Sequence, residues 1–103
     1  MIKTTFYIGL NDKDSKQQEI GSIDAFKIVS NVFNTLTEGA TIKGGIKGIY
    51  KHEDGTQVIE ETIEAFCFGL EDPQVKQIVN VLKNVLNQES ILVITEHVNS
   101  VFM

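Results

Sequence analysis

The sequence predicts an α+β domain in which two helices cover one face of a four-stranded antiparallel sheet. The chain has 103 residues, which is the size of one domain rather than two. Four segments alternate between apolar and polar residues, or run apolar, as strands do, and two segments carry apolar residues at helical spacing. These segments follow one another in the order β-α-β-β-α-β.

The first strand and the first helix are predicted in the N-terminal third of the chain. Residues 2–10 alternate with a period of two, which predicts a strand with one face more apolar than the other. A polar stretch, "NDKDSKQQEIG", reads as a loop. Ser22 is then predicted to cap a helix over residues 23–36, and Asp24 in its first turn favours the positive end of the helix dipole.

A β-hairpin is predicted in the middle of the chain. Residues 41–50 form a glycine-rich strand, and residues 56–69 form a longer one. The sequence "HEDG" between them is typical of a tight turn, in which Gly55 can adopt the left-handed conformation.

The last third of the chain predicts a second helix and a fourth strand. Asp72 is expected to cap the helix and Pro73 to occupy its first position, so that the helix covers residues 73–86. Residues 90–98 are rich in Ile, Leu and Val and predict a strand. The tail "NSVFM" is apolar enough that we expect it to pack against the domain.

This element order is that of the ferredoxin-like split β-α-β fold. Right-handed crossovers then give the spatial strand order 4-1-3-2, with both helices on one face. We find no linker and no internal repeat, so residues 1–103 are predicted to form a single domain.

The hairpin register predicts which side chains lie on the open face of the sheet. A loop of Glu53, Asp54 and Gly55 would place His52 opposite Thr56. The same register places Gly48 opposite Glu60 and Gly44 opposite Glu64. The open face would then carry Ile46, Tyr50, Val58, Glu60, Thr62 and Glu64, while Ile49, Ile59, Ile63, Ala65 and Cys67 would face the core. One bulge would exchange the two sides.

Paired carboxylates are the first chemistry to consider in this glutamate-rich hairpin, and their spacing argues against it. Glu60 and Glu64 are four residues apart on one strand, which separates them by about 13 Å. Catalytic carboxylate pairs in glycosidases are about 5 to 9.5 Å apart. No catalytic residue is therefore predicted, and the two glutamates are instead candidate ligand-binding residues beside Tyr7 and Tyr50.

Composition excludes several classes of function. The net charge is −5 and the nine basic residues are scattered, which argues against a nucleic-acid partner. The "NDKD" loop lacks the glycine and the terminal glutamate that an EF-hand calcium loop needs, so no metal site is predicted. No cofactor is predicted either, because "KGGIKG" matches neither nucleotide-binding fingerprint. Cys67 lies between two phenylalanines and is expected to be a small buried residue. No apolar segment approaches the roughly 20 residues of a membrane span, and we expect a cytoplasmic protein with no membrane partner.

Three segments, "FYIGL", "GIYKHEDGTQVIEE" and "LNQESILVITEHVNSVF", resemble a small bacterial family of domains of unknown function. The resemblance spans nearly the whole chain and implies the β-α-β-β-α-β order without a known activity. It directs attention to Gln88, Glu89 and Ser90 before the last strand. Members often carry a secretion signal and a Pro-Asp-Gly segment before the second strand, and "TLTEGATI" departs from that pattern here.

Two hypotheses for function follow. The first is a non-enzymatic binding or regulatory protein that forms a homodimer through its sheet face, and a phage or mobile-element protein acting on a host protein is one version. The second is a small-molecule-binding enzyme of the dimeric ferredoxin-like type, with its site near Tyr7, Glu60 and Glu64. The candidate ligand-binding residues are Tyr7, Tyr50, Glu60, Glu64, Gln88 and Glu89.

Overall fold

The computed structural model of the chain describes residues 1–51 and 53–103. The element order is β-α-β-β-α-β, as the sequence and the family resemblance predict. The elements are β1 Ile2–Gly9, α1 Ser22–Leu36, β2 Thr41–Lys51, β3 Gln57–Phe68, α2 Asp72–Val85 and β4 Leu92–His97. The four strands form one sheet and the fold class is α+β, ferredoxin-like.

The sheet is antiparallel throughout, with the strand order β2-β3-β1-β4. This is the predicted order, 4-1-3-2, counted from the other edge. β1 and β3 are the two central strands, and their pairing runs from Lys3 opposite Phe68 to Gly9 opposite Thr62. β4 pairs with the other side of β1 and forms one edge of the sheet.

Both helices begin one residue earlier than predicted, with different caps. Gly21 is the N-cap of α1, and Ser22 is its first residue. The Ser22 hydroxyl donates to Oε2 of Glu61 instead of capping the helix. Glu71, not Asp72, is the N-cap of α2, and it exchanges hydrogen bonds with Gln74 in a capping box. The longer Glu and Gln side chains can satisfy each other's backbone N–H groups, which leaves Asp72 inside the first turn.

The core lies between the helices and the inward face of the two central strands. Phe6 is fully buried and meets Phe33 of α1 edge to face, with ring centroids 5.2 Å apart. Ile78 and Leu82 of α2 are equally buried. Cys67 lies in this core, as predicted, and its burial raises the pKa of the thiol.

The predicted hairpin register is confirmed near the turn and is wrong beyond Ile46. Tyr50 pairs with Val58 and Gly48 with Glu60. A bulge then shifts the pairing, so that Lys43 and not Gly44 stands opposite Glu64. Gly45 carries the bulge with a φ of 73°, a conformation that glycine adopts without strain. The predicted pairing of His52 with Thr56 lies outside the described residues.

Two predictions of burial are wrong. Ile49 and Ile59 were expected in the core but are 63% and 59% exposed. They lie on the part of the hairpin beyond Thr62, where β1 has ended and the sheet has only two strands. The tail was expected to pack, yet Phe102 and Met103 are fully exposed.

Candidate functional site

A groove of about 660 Å³ opens on the sheet face that the helices leave uncovered. It lies where β1 ends, between the β2–β3 hairpin and the segment that joins α2 to β4. Five of the six candidate residues line this groove, although they come from four separate segments of the chain. These residues are Tyr7, Tyr50, Glu60, Gln88 and Glu89.

The carboxylate of Glu60 is held at the end of β1. The ladder between β1 and β3 ends with the N–H of Leu10 donating to the carbonyl of Glu61 at 2.9 Å. At the next residue, the N–H of Asn11 donates to Oε2 of Glu60 at 3.0 Å. A side chain of β3 thus accepts a backbone N–H just beyond the end of the ladder, and the carboxylate of Glu60 is held beside the end of β1.

The loop after β1 is fastened to the turn between α2 and β4. Nδ2 of Asn87 donates to Oδ1 of Asp12 at 2.8 Å and to Oδ2 of Asp14 at 2.9 Å. Nε2 of Gln88 donates to the carbonyl of Asn11 at 2.7 Å. Gln88 therefore has a structural role as well as a place in the lining, and it joins the two segments that form one wall of the groove.

Asp12 is an acceptor for several groups of its own loop. The hydrogen bond from Asn87 lowers the pKa of the Asp12 carboxyl, and the backbone N–H groups of Ser15 and Asp14 lower it further. With these three donors, the Asp12 carboxylate stabilises the conformation of the loop. Among the residues that the structure describes, no group of three or more His, Cys, Asp or Glu side chains is placed to hold a metal ion.

The two tyrosines of the groove each lie near a carboxylate. Burial raises the pKa of Tyr50, and the charge of Glu60 adds to that effect. Tyr7 stands directly opposite Glu64 on β3. Hydrogen bonding with Glu64 is the main cause of the raised pKa of Tyr7. Both hydroxyls therefore remain protonated at neutral pH, so that each tyrosine presents a neutral ring.

Glu64 is the candidate residue that the groove does not include. It lies on the open sheet face, two residues from Thr62, and faces Tyr7 across the strands. The sequence placed Glu60 and Glu64 on one strand face, which is correct. The groove lining includes Glu60 and Tyr7 but not Glu64, although Glu64 is the partner of Tyr7 across the strands.

Four groove residues of the loop after β1 were not among the candidate residues from the sequence. Asn11, Asp12, Lys13 and Lys16 line the groove, and Lys47 joins them from β2. The "NDKD" motif fits a solvated loop better than a calcium site. The position of this loop after the first strand, where ferredoxin-like proteins often place ligand contacts, was the signal in the sequence that pointed to it.

No protein-family model matches this chain, and no curated protein matches it. Solved structures do share its fold. The chain is similar to a phage S-adenosylmethionine lyase in complex with S-methyl-5'-thioadenosine, at a TM-score of 0.66 and 19% identity. That match covers 92% of this chain and 79% of the lyase chain.

The chain is also similar to proteins of the CutA1 type. CutA1 from Oryza sativa aligns at a TM-score of 0.61 with 14% identity, over 99% of this chain and 84% of the other. CutA1 from Pyrococcus horikoshii aligns at a TM-score of 0.57 with 16% identity, over 99% and 87% of the two chains. Identities this low establish the shared ferredoxin-like fold and nothing further.

Proposed function

We propose that this chain binds S-adenosylmethionine in the groove at the end of β1 and cleaves it to S-methyl-5'-thioadenosine. The observation that supports this most is the convergence of Tyr7, Tyr50 and Glu60 on one groove of the open sheet face. The lyase of the same fold was solved with S-methyl-5'-thioadenosine bound, so that fold can hold this nucleoside. Of the two hypotheses from the sequence, the groove favours the small-molecule enzyme.

Carboxylate and aromatic groups suit a sulfonium ion. The ligand's sulfur carries a positive charge that has no N–H to donate, so it is recognised by charge and by the faces of aromatic rings. Glu60 supplies a carboxylate fixed by the N–H of Asn11. Tyr50 lies on the same face of the hairpin as Glu60. Glu60 pairs with Gly48, and positions 48 and 50 are two residues apart on β2, so they lie on the same face of the sheet.

The rest of the lining suits the other parts of the ligand. Ile46, Val58 and Leu92 offer apolar surface for the planar adenine base. The ligand's own carboxylate needs a cation, and Lys13 and Lys16 border the groove on the loop side. The ligand carries both signs of charge, and so does this lining.

Cleavage to S-methyl-5'-thioadenosine breaks the bond between sulfur and Cγ of the amino-acid chain. The bonding electron pair goes to sulfur, which becomes a neutral thioether. Cγ then takes electrons from one of two sources: the ligand's own carboxylate oxygen, which gives homoserine lactone, or a neighbouring C–H bond after a base removes the proton from Cβ, which gives vinylglycine. The identity of the second product therefore distinguishes cyclisation from base-catalysed elimination.

The direct test is to incubate the purified protein with S-adenosylmethionine and to quantify both products by mass spectrometry. We expect S-methyl-5'-thioadenosine to form well above the spontaneous rate. S-adenosylhomocysteine is the matched control, because it has the same nucleoside and amino acid but a neutral thioether in place of the sulfonium, and it should stay intact. Background rates with S-adenosylmethionine, together with no heat of binding for either nucleoside in calorimetry, would reject the proposal.

Self-association is the second part of the proposal, and the open sheet face supports it. Phe68, Leu92 and Ile94 lie on this face and are each at least 38% exposed. Exposed apolar side chains grouped on one face are typical of an interaction surface. A second copy of the chain would cover them, and because Leu92 also lines the groove, it would narrow the groove's opening. The homodimer predicted from the sequence is the smallest such assembly.

No helix in the described part of the chain is long and apolar enough to cross a membrane.

A regulatory role toward a host protein, the other hypothesis from the sequence, is compatible with the same exposed face. A host protein would then have to cover the exposed face in place of the second copy of this chain. Whether the assembly in solution contains one kind of chain or two would distinguish self-association from such a regulatory role.

A further inference from the structure

Gly9, the last residue of β1, lies where the carboxylate of Glu60 crosses from β3. A Cβ atom built at Gly9 would lie 2.5 Å from Cδ and 2.7 Å from Oε2 of Glu60. Real Cβ atoms essentially never come that close to another heavy atom. The observed position of the carboxylate is therefore available only because residue 9 has no side chain.

The hydrogen bond to Asn11 depends on the same space. Extending the β1–β3 register, in which Gly9 faces Thr62, places Asn11 opposite Glu60. The N–H of Asn11 reaches Oε2 of Glu60 because the carboxylate lies flat across the end of β1. A methyl group at residue 9 would push the carboxylate away from this N–H.

We propose that Gly9 is a positioning residue, whose missing side chain lets the backbone N–H of Asn11 hold the Glu60 carboxylate against the groove. The role of Gly9 in ligand binding rests on the proposed function, whereas its effect on the position of the Glu60 carboxylate follows from the geometry alone. Gly9 itself does not act on the substrate. It determines where the negative charge stands relative to a sulfonium bound between Glu60 and Tyr50.

The substitution Gly9→Ala is expected to move the carboxylate and not to unfold the protein. The atoms that a methyl group would meet belong to the far end of a flexible side chain, which can rotate away. The backbone at residue 9 is not among the positive-φ glycines, so alanine can adopt it. Gly48→Ala is the matched control: it is also a strand glycine of the groove, but its Cβ would approach the hydroxyl of Thr62 at 3.0 Å and would meet Glu60 only at ordinary van der Waals distance, 3.9 Å from Cγ and from the backbone carbonyl oxygen.

Nuclear magnetic resonance can observe the hydrogen bond directly. In the unsubstituted protein we expect a scalar coupling across the hydrogen bond from the Asn11 amide nitrogen to Cδ of Glu60. Gly9→Ala should abolish this coupling, while Gly48→Ala should keep it.

Ligand binding separates this inference from the proposed function. Calorimetry should show that Gly9→Ala weakens the binding of S-adenosylmethionine by about tenfold, which corresponds to one misplaced charged contact. The binding of the neutral S-methyl-5'-thioadenosine should weaken much less. If the unsubstituted protein binds neither nucleoside, the proposed function fails and the coupling alone decides the positioning role. A missing coupling in the unsubstituted protein, or an unchanged one in folded Gly9→Ala, overturns the inference.

Discussion

Nδ2 of Asn87 donates a 2.8 Å hydrogen bond to Oδ1 of Asp12, a residue 75 positions earlier in the chain. This contact joins the loop after β1 to the turn after α2, the two segments that form one wall of the groove. Asn87 has a φ of 49°, in the left-handed region that asparagine tolerates better than most residues. The same residue thus forms the turn and fastens the loop.

The contact makes stability depend on the charge of Asp12. Its pKa is lowered below the ordinary 3.8 in the folded protein, chiefly by Asn87. A lowered pKa contributes stability that is present above pH 3.8 and is lost as the pH falls through the folded-state pKa. We expect Asn87→Gly, which keeps the backbone conformation, to raise the pKa of Asp12 in a carboxyl carbon titration.

A matched control is available in the same loop. Asp14 also accepts a hydrogen bond from Asn87, so Asp14→Asn should leave the pKa of Asp12 lowered and keep the loss of stability in acid. If Asn87→Gly left the titration of Asp12 unchanged, the Asn87 side chain would not be the main cause of the lowered pKa.

The carboxylate of Glu60 should contribute more to substrate binding than to the chemical step. Sulfur loses its positive charge as the bond to Cγ breaks, so a carboxylate stabilises the bound substrate more than the transition state. We expect Glu60→Gln to raise KM by about tenfold with a smaller change in kcat, from initial rates of S-methyl-5'-thioadenosine formation. A kcat that collapses while KM holds would instead identify Glu60 as the base of an elimination.

Glu64→Gln tests whether the groove or the sequence pattern defines the site. The sequence hypothesis of an enzyme with its site near Tyr7, Glu60 and Glu64 predicts that this substitution abolishes the activity without lowering the melting temperature. Glu64 is absent from the groove lining and contacts Tyr7 instead, so the geometry favours a smaller effect on KM than that of Glu60→Gln. An equal or larger effect would place the ligand further along β1 than the groove indicates.

The core prediction concerns Phe6, which is fully buried against Phe33. Phe6→Ala leaves a cavity that the surrounding strands and helices fill only in part. We expect it to lower the free energy of unfolding by about 3 to 5 kcal/mol, measured by urea denaturation. Phe102→Ala is the control, because the Phe102 ring is fully exposed in the tail and its removal should cost nothing measurable.

Local sequence patterns were enough to predict the fold. They failed to predict side-chain burial where it depends on whether a neighbouring strand is present. Alternation along β1 and the stripe on α2 depend on residues within one element, so the element order and strand order follow from them. The exposure of Ile49 and Ile59 depends on where β1 stops relative to β3, which neither hairpin strand encodes. The bulge at Gly45 was recognised as a risk, but its position required the register itself.

The sequence predicted individual residues of the candidate site, but not the contacts between the chain segments that carry them. Tyr50 and Glu60 could be placed together because a short turn fixes the register between β2 and β3. Gln88 and Glu89 entered through the family resemblance. Their approach to Asn11 requires the α2–β4 turn to meet the β1 loop in space, a contact between segments 77 residues apart. No pattern within either segment indicates it.

The exposed apolar face provides the test of self-association. Ile94 of β4 lies beside Thr5 on the open face and is 38% exposed. A lysine there would bring a charge into an interface that excludes water, so Ile94→Lys should dissociate the assembly in analytical ultracentrifugation, and the mass of the unsubstituted protein gives the number of copies. Ile23→Lys is the control, because Ile23 is 74% exposed on α1, on the helical side of the domain.

The same variant connects assembly with the groove. Leu92 belongs to both the open face and the groove lining, so loss of the second copy should leave the groove wider and more hydrated. We therefore expect Ile94→Lys to weaken S-adenosylmethionine binding as well as to reduce the mass, whereas Ile23→Lys should change neither. A protein that is monomeric at high concentration and still cleaves its substrate would show that one chain forms the complete site.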